Sequence, residues 1–535
     1  MTMKRRRLLK GAAGAGLAAG AGVFGILKYP RGANAAGWGA WPDDKIDAIL
    51  PEDMRAQKVL EMHLNGGISA WDTFYSIPSW GNGGDPLGDA AFLHTFEGDT
   101  DAQPGYANPQ DRFTGCGLDD QPYTAEFAPD TNGQMVSLGP WTAPLRRRPD
   151  IINRMRIVVQ FHDVLAHEGA NPISFTGSRL GSPRLAGIGA AIQRHFNEQP
   201  GGQRAVPYSF VLYPTGNGFT PFNAQAASAI GFHPASARPL NVSISQNSQL
   251  AQLLQRPGVP GSYRAEFDQA VQFYAQAYAN RLKPGGVGQR ARSVEAGNYD
   301  FAHFARENAQ SLSAVLSDDL FTAIGDEVCQ GSSNPAQSNA DMSRMQAEVA
   351  RALLQHPEYP ARYVQWIDVG INPRPEVGHD VHQSHVLYQS WNVPHALQSL
   401  ADIIQDPNEP RDPALIDLDE TMVVINMEFG RTPYRQTYGA SGTNHWPFGY
   451  VNVMIGGPIS DDSRSPGRSI LGYITEDQGY AQEFATPAEN RVGVLSAMGI
   501  YPFSSQSFAV ADVRAAQDEL QSAFWIRDEF WGLSV

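Results

Sequence analysis

Cysteine is nearly absent: the 535 residues contain two, Cys116 and Cys329. They allow one disulfide at most, and the sequence leaves open whether they pair in an oxidising compartment or stay as two buried thiols. Basic side chains are scarce too. Lys and Arg number 40 against 55 Asp and Glu, and seven of the 40 lie in the first 35 residues, which hold no acid. Residues 36–535 therefore carry 33 basic against 55 acidic groups, a formal charge of −22. So acidic a surface excludes nucleic acid as a partner and disfavours anionic membranes, while a local positive pocket for a small anionic substrate stays compatible with it. There is no internal repeat, no coiled-coil heptad and no apolar span beyond residue 27, which argues against a solenoid and against a membrane span in the body of the chain.

What is present begins at the first residues. Arg5-Arg6, followed by Leu8-Leu9-Lys10, has the form of a twin-arginine export address. Gly11 to Leu27 follows as a mildly apolar stretch with six glycines, and Ala33-Asn34-Ala35 supplies a small-x-small cleavage site. The stretch is short and glycine-rich for a hydrocarbon core of about 30 Å. Residues 1–35 are therefore expected to be a signal peptide, and the protein to be periplasmic or secreted with no stable span in its mature form.

The remaining 500 residues suit two or three domains or one large α/β domain with insertions, and the latter is the expected organisation. Strands are expected at residues 57–64, 156–161, 206–213, 363–369, 421–427 and 450–455, with helices at 182–196 and 386–404 between them. Residues 80–145 lack periodicity and read as a decorated loop region. A helical insert is expected at about 246–355, in segments near 247–255, 264–281, 302–323 and 341–355. Strands alternating with helices predict a mainly parallel central sheet covered by helices on both faces.

Four polar segments follow expected strands. They are Asn65-Gly-Gly-Ile-Ser-Ala-Trp-Asp72; His162-Asp163 with His167-Glu168; Gly378-His379-Asp380-Val-His382-Gln-Ser-His385; and Glu428-Phe-Gly-Arg431 leading to Asn444-His445. Each has a plain reading: Asp72 as a turn residue, Glu428 and Arg431 as a buried ion pair, His445 as a satisfied core histidine, 379–385 as a solvated loop. Strand ends of an α/β sheet converge on one crevice, however, and carboxylates with neutral imidazoles are what a divalent ion requires.

Those residues resemble a known group. Met427-Glu-Phe-Gly-Arg-Thr-Pro433 followed by Asn444-His-Trp-Pro447, with Gly66-Gly67 to Phe74 and Gly378-His-Asp-Val-His382, is similar to the motifs of the bacterial domain-of-unknown-function family 1501. Members of that family are often twin-arginine exported and look like the alkaline phosphatase and sulfatase superfamily. The resemblance implies a superfamily sheet in which divalent metals and a nucleophile at a helix start act on phosphate or sulfate esters. Aligned through Ile173 to Gly177, His167 takes the nucleophile's place. Glu428-Phe429 stands for a metal-binding Asp-His pair, Asn65 for Asp, Ala70 for His, Tyr75 for Asp and Asn444 for Asp. The expected metal donors are Asp72, Asp380, His382, Glu428 and His445, with His167 and Arg431 in catalytic roles, Arg431 as the oxyanion fork. The cofactor would be a divalent ion, Zn, Mn or Ca. The expected function is an exported metal-dependent hydrolase of phosphate or sulfate esters acting on a small anionic ester or glycan-linked substrate. The rival is a non-catalytic relative that binds a partner or ligand.

Overall fold

The computed structural model describes residues 39–80, 109–179, 187–198, 209–214, 240–244, 263–282, 337–358, 360–370, 378–382, 385–435, 442–459, 469–503, 513 and 518–533. The export signal, Cys329 and the insert segments near 247–255 and 302–323 lie outside them. Cys116 is buried beside the Ser390 carbonyl and is not a free thiol.

The strands, in chain order, are β1 (Lys58–Leu64), β2 (Ala125–Pro129), β3 (Met135–Leu138), β4 (Met155–Gln160), β5 (Phe210–Pro214), β6 (Leu240–Ile244) and β7 (Tyr363–Asp368). They continue with β8 (Thr421–Asn426), β9 (Gly430–Arg435), β10 (Thr443–Trp446), β11 (Tyr450–Ile455), β12 (Ile470–Leu471), β13 (Tyr473–Ile474) and β14 (Ala481–Glu483). Eight of them form one sheet in the order β12-β4-β11-β8-β1-β7-β5-β6. Every neighbouring pair is parallel except those made by β11, which runs antiparallel to both β4 and β8. The protein is thus mixed α/β with a mostly parallel central sheet.

The six expected strands are all in this sheet because each is a short apolar run buried on both faces. β1, β4, β7, β8 and β11 are buried at every residue. Alternate residues feed two cores. Leu60, Met62, Val159, Val423 and Val453 face one, with the helix His385–Asp402; Val59, Val158, Val424 and Met454 face the other, with the helices Ile188–Glu198 and Pro487–Ala497. Each large aliphatic side chain so buried contributes about 1.5–3 kcal/mol. The second face also carries polar residues in register with its apolar ones: Gln160, Asn452, Asn426, Glu61 and His63 are all buried.

Three elements differ from expectation. Residues 125–138 within the expected loop region form the hairpin β2–β3, whose bulge between Glu126 and Ala128 breaks the alternation that would have marked it. β9 and β10 form a separate two-stranded ribbon, and β6 adds an edge strand. Of the insert, the helices Arg264–Leu282 and Gln337–Leu354 are described, the second packed on β7. No helix among the described residues is long and apolar enough to cross a membrane.

At the carboxyl edge of β1, β7 and β8 the chain turns sharply. Gly66 and Gly67 have φ of 107° and 76°, and a Cβ on them would overlap the Asp380 amide and the Phe429 carbonyl respectively. Only glycine lets these loops close together.

Candidate metal centre

His167 is the first residue of the helix His167–Thr176, which begins after β4 and ends at the left-handed Gly177. Its imidazole bridges two carboxylates, Nδ1 to Glu428 Oε1 at 2.9 Å and Nε2 to Asp380 Oδ2 at 3.2 Å. Burial opposes charge on this ring, yet the hydrogen bonds to Asp380 and Glu428 outweigh it and raise the pKa to about 10.

Asp380, in the loop after β7, is the hub. Its Oδ1 accepts from the Arg431 guanidinium and lies 3.1 Å from His382 Nε2 and 3.2 Å from His445 Nε2. Burial would raise its pKa, but Arg431 and the hydrogen bonds of His167 and His382 hold it far below the usual carboxylate range. His445, on β10, stacks on Phe429 with centroids 4.1 Å apart, and its Nε2 lies 2.9 Å from His382 Nε2. Its other nitrogen, Nδ1, lies 2.6 Å from the Leu165 carbonyl. A carbonyl only accepts, so Nδ1 carries the proton and the Nε2 lone pair faces Asp380. Burial, with Arg431 and His167 nearby, lowers the pKa of His445.

Glu428 lies underneath, fully buried. Besides His167 it accepts the Gly66 amide at 2.7 Å and faces His63 Nε2 at 3.3 Å. Burial opposes its ionisation, and the His167 and His63 hydrogen bonds reverse that, holding its pKa below the usual range. His162 Nε2 donates to the Glu428 carbonyl at 2.6 Å, and burial lowers its pKa.

Arg431 is also fully buried, with Nη2 on the Gly66 carbonyl and Asp380, Nε on the Gly67 carbonyl at 3.2 Å and Nη1 on the Thr443 carbonyl at 3.5 Å. It ties β1, the Asp380 loop and β10 together. The plain pairing of Glu428 with Arg431 does not occur; each takes a partner from another segment.

Direct contacts thus join His167, Asp380, His382, Glu428 and His445. Asp72 stands apart in this respect. It is buried and held by His385 Nε2 at 3.0 Å, whose Nδ1 reaches Thr443 Oγ1 at 2.9 Å. His379, from the same motif as His382, turns inward to Asp368 at 2.8 Å. Of the three imidazoles in residues 379–385 only His382 reaches the cluster. His63 and the Leu165 carbonyl were not foreseen. A histidine in an apolar strand was the available signal for the first; a backbone carbonyl leaves none.

Among the described residues one group of three has ligand atoms all within 4.8 Å of one another, namely His167, Asp380 and His445. Two donors bound tetrahedrally at about 2.1 Å lie about 3.4 Å apart, close to the 3.2 Å that separates an Asp380 oxygen from the Nε2 of His167 and of His445. The orientation fits as well, since His167 gives Nδ1 to a carboxylate and His445 gives Nδ1 to a carbonyl, the usual bracing of metal-binding imidazoles.

No curated protein and no solved structure matches the chain. Residues 56–469 match the family described as "Protein of unknown function (DUF1501)", a span that holds every residue of the cluster, and the chain belongs to that family.

Proposed function

We propose that this protein is an exported metal-dependent hydrolase of phosphate or sulfate esters, with His167, Asp380 and His445 as the metal donors and His382 beside them. The observation that carries this reading is the Nε2 of His445. Its lone pair faces the Asp380 carboxylate at 3.2 Å, an electron-rich pairing that a cation between them would satisfy. Mixed imidazole and carboxylate donors suit Zn or Mn better than Ca, which prefers oxygen throughout. The resemblance of the strand-end sequence motifs to a family that looks like the alkaline phosphatase and sulfatase superfamily supports the ester class by analogy.

A divalent ion held there supplies Lewis-acid polarisation of an ester oxygen and lowers the pKa of water. Glu428 and the Leu165 carbonyl keep two imidazoles aimed at one point. Phe429 covers one face of His445 and limits water there. His382, with 36% of its side chain exposed, is the most open imidazole of the cluster and in this reading takes the proton of an attacking water. Arg431 acts through Asp380 and the loop carbonyls, a positioning role in place of the oxyanion contact expected from the sequence. That inward orientation is also the observation that favours a non-catalytic, metal-binding protein.

Elemental analysis of the purified protein, run with a screen of aryl phosphates and sulfates, tests both readings. One equivalent of metal with turnover that Asp380→Asn abolishes supports the hydrolase. Stoichiometric metal without turnover supports the binding role, and absence of any affinity for Zn or Mn overturns both. Export is tested by Arg5→Lys with Arg6→Lys, which should abolish periplasmic yield in fractionation.

A further inference from the structure

Glu61 lies in the middle of the central strand β1 with no solvent exposure. Its carboxylate accepts Arg491 Nη1, Tyr363 Oη and Asn426 Nδ2, each at 2.7 Å. Arg491 comes from the helix Pro487–Ala497, whose start is held by a Thr486–Glu489 capping box. An ion pair in this place is poor value for stability alone, because apolar side chains of similar volume pack there at no desolvation cost. Its contacts lead to the candidate metal centre.

Asn426 ends β8, two residues before Glu428. Its Oδ1 takes the Met427 amide at 2.9 Å, Asn452 Nδ2 at 2.9 Å and Ser174 Oγ at 3.1 Å, and Ser174 Oγ also reaches the Met427 carbonyl at 3.0 Å. Ser174 shares a face of its helix with Asn171 and His167, at spacings of three and four. Asn171 Oδ1 lies 3.2 Å from His63 Nε2, the atom that faces Glu428, and His167 binds Glu428 itself. One polar stripe on a single helix is therefore matched to one strand end. The same helix ends at Gly177, where a Cβ would come within 2.7 Å of Ala488 Cα on the Arg491 helix.

We propose that Glu61 and Arg491 are positioning residues for the candidate metal centre, acting through Asn426 and Ser174 to set the register between the His167 helix and Glu428. This rests on the metal-centre reading above. Glu61 orients the Asn426 amide, the amide orients the Ser174 hydroxyl and the Met427 backbone, and these hold Glu428 opposite His167. Glu61→Gln keeps the shape but turns an amide nitrogen towards Asn426 Nδ2, so Asn426 must rotate and release Ser174.

The test measures cobalt(II) affinity and its visible spectrum in the full-length protein. Glu61→Gln and Ser174→Ala are each expected to weaken cobalt binding by about 10- to 100-fold, the range found for residues that orient metal ligands. Arg491→Lys, which keeps charge and one hydrogen bond, should restore much of what Arg491→Met loses. Ser174→Ala removes one hydroxyl and serves if the charge variants fail to fold. Folded Glu61→Gln and Ser174→Ala proteins with wild-type affinity and spectrum would overturn the proposal. If the wild type binds no cobalt, the metal reading falls, and the ¹⁵N shifts of the His167 ring decide instead: displacement in Ser174→Ala supports the positioning role, and unchanged shifts defeat it.

Discussion

Asp380 and Glu428 are neighbours through one imidazole, yet their surroundings differ. Asp380 keeps 23% of its side chain exposed and is surrounded by three imidazoles and a guanidinium, all directed at its two oxygens. Glu428 has no exposure and spends its oxygens on a backbone amide, on the fully buried His63 and on Nδ1 of His167. A carboxylate at the surface of the cluster is available to a ligand, and one beneath it can only aim its neighbours. The distinction divides the site into donors and braces, and Arg431 falls with the braces despite its charge.

The largest effect should come from removing a brace. Arg431→Met takes four contacts from three segments and leaves Asp380 without its cation, so a loss of about 3–5 kcal/mol is expected, read by denaturant unfolding. Loss below 1 kcal/mol would mean that the guanidinium is not holding the loops. Asp380→Asn comes next. It should remove the ion altogether, lowering affinity beyond the roughly 100-fold upper range of an orienting residue, as measured by metal titration. Glu428→Gln should weaken binding within that range, roughly 10- to 100-fold, and leave the donors themselves in place. Equal losses for the two carboxylates would dissolve the distinction.

The metal-free protein offers a further comparison through pH. The depressed Asp380 and Glu428 contribute stability that is present above about pH 4 and is lost as pH falls through their lower folded values. The raised His167 contributes stability that is fully present below about pH 6.5 and is lost as pH rises through about 10. Thermal unfolding temperature should therefore fall between pH 6.5 and 10, and His167→Gln should flatten that slope. The smallest effect belongs to Leu165→Ala. His445 uses the carbonyl and the side chain is half exposed, so stability should change by less than about 0.5 kcal/mol with metal affinity unaltered.

The six expected strands were legible because burial on both faces requires unbroken apolar runs, and such runs are visible without knowing their neighbours. The hairpin β2–β3 was not, because five residues with a bulge and a terminal proline carry no period. Candidate donors were legible as polar residues following strands, and four of the five expected metal ligands share one cluster with His167. Asp72 was chosen by the same rule but is held by His385.

Sequence by itself determined six of the sheet's strands, the family motifs, the acidic balance and the short list of imidazoles and carboxylates, since each is a property of residue type and local order. Tertiary structure alone decided which of His379, His382 and His385 faces the cluster, and that Arg431 faces inward. It also decided that Glu428 takes His167 as its partner. Spacing within a loop does not set the direction of a side chain; partners 11 to more than 300 positions away do, through hydrogen bonds that exist only once the ends of β1, β7 and β8 meet the β9–β10 ribbon.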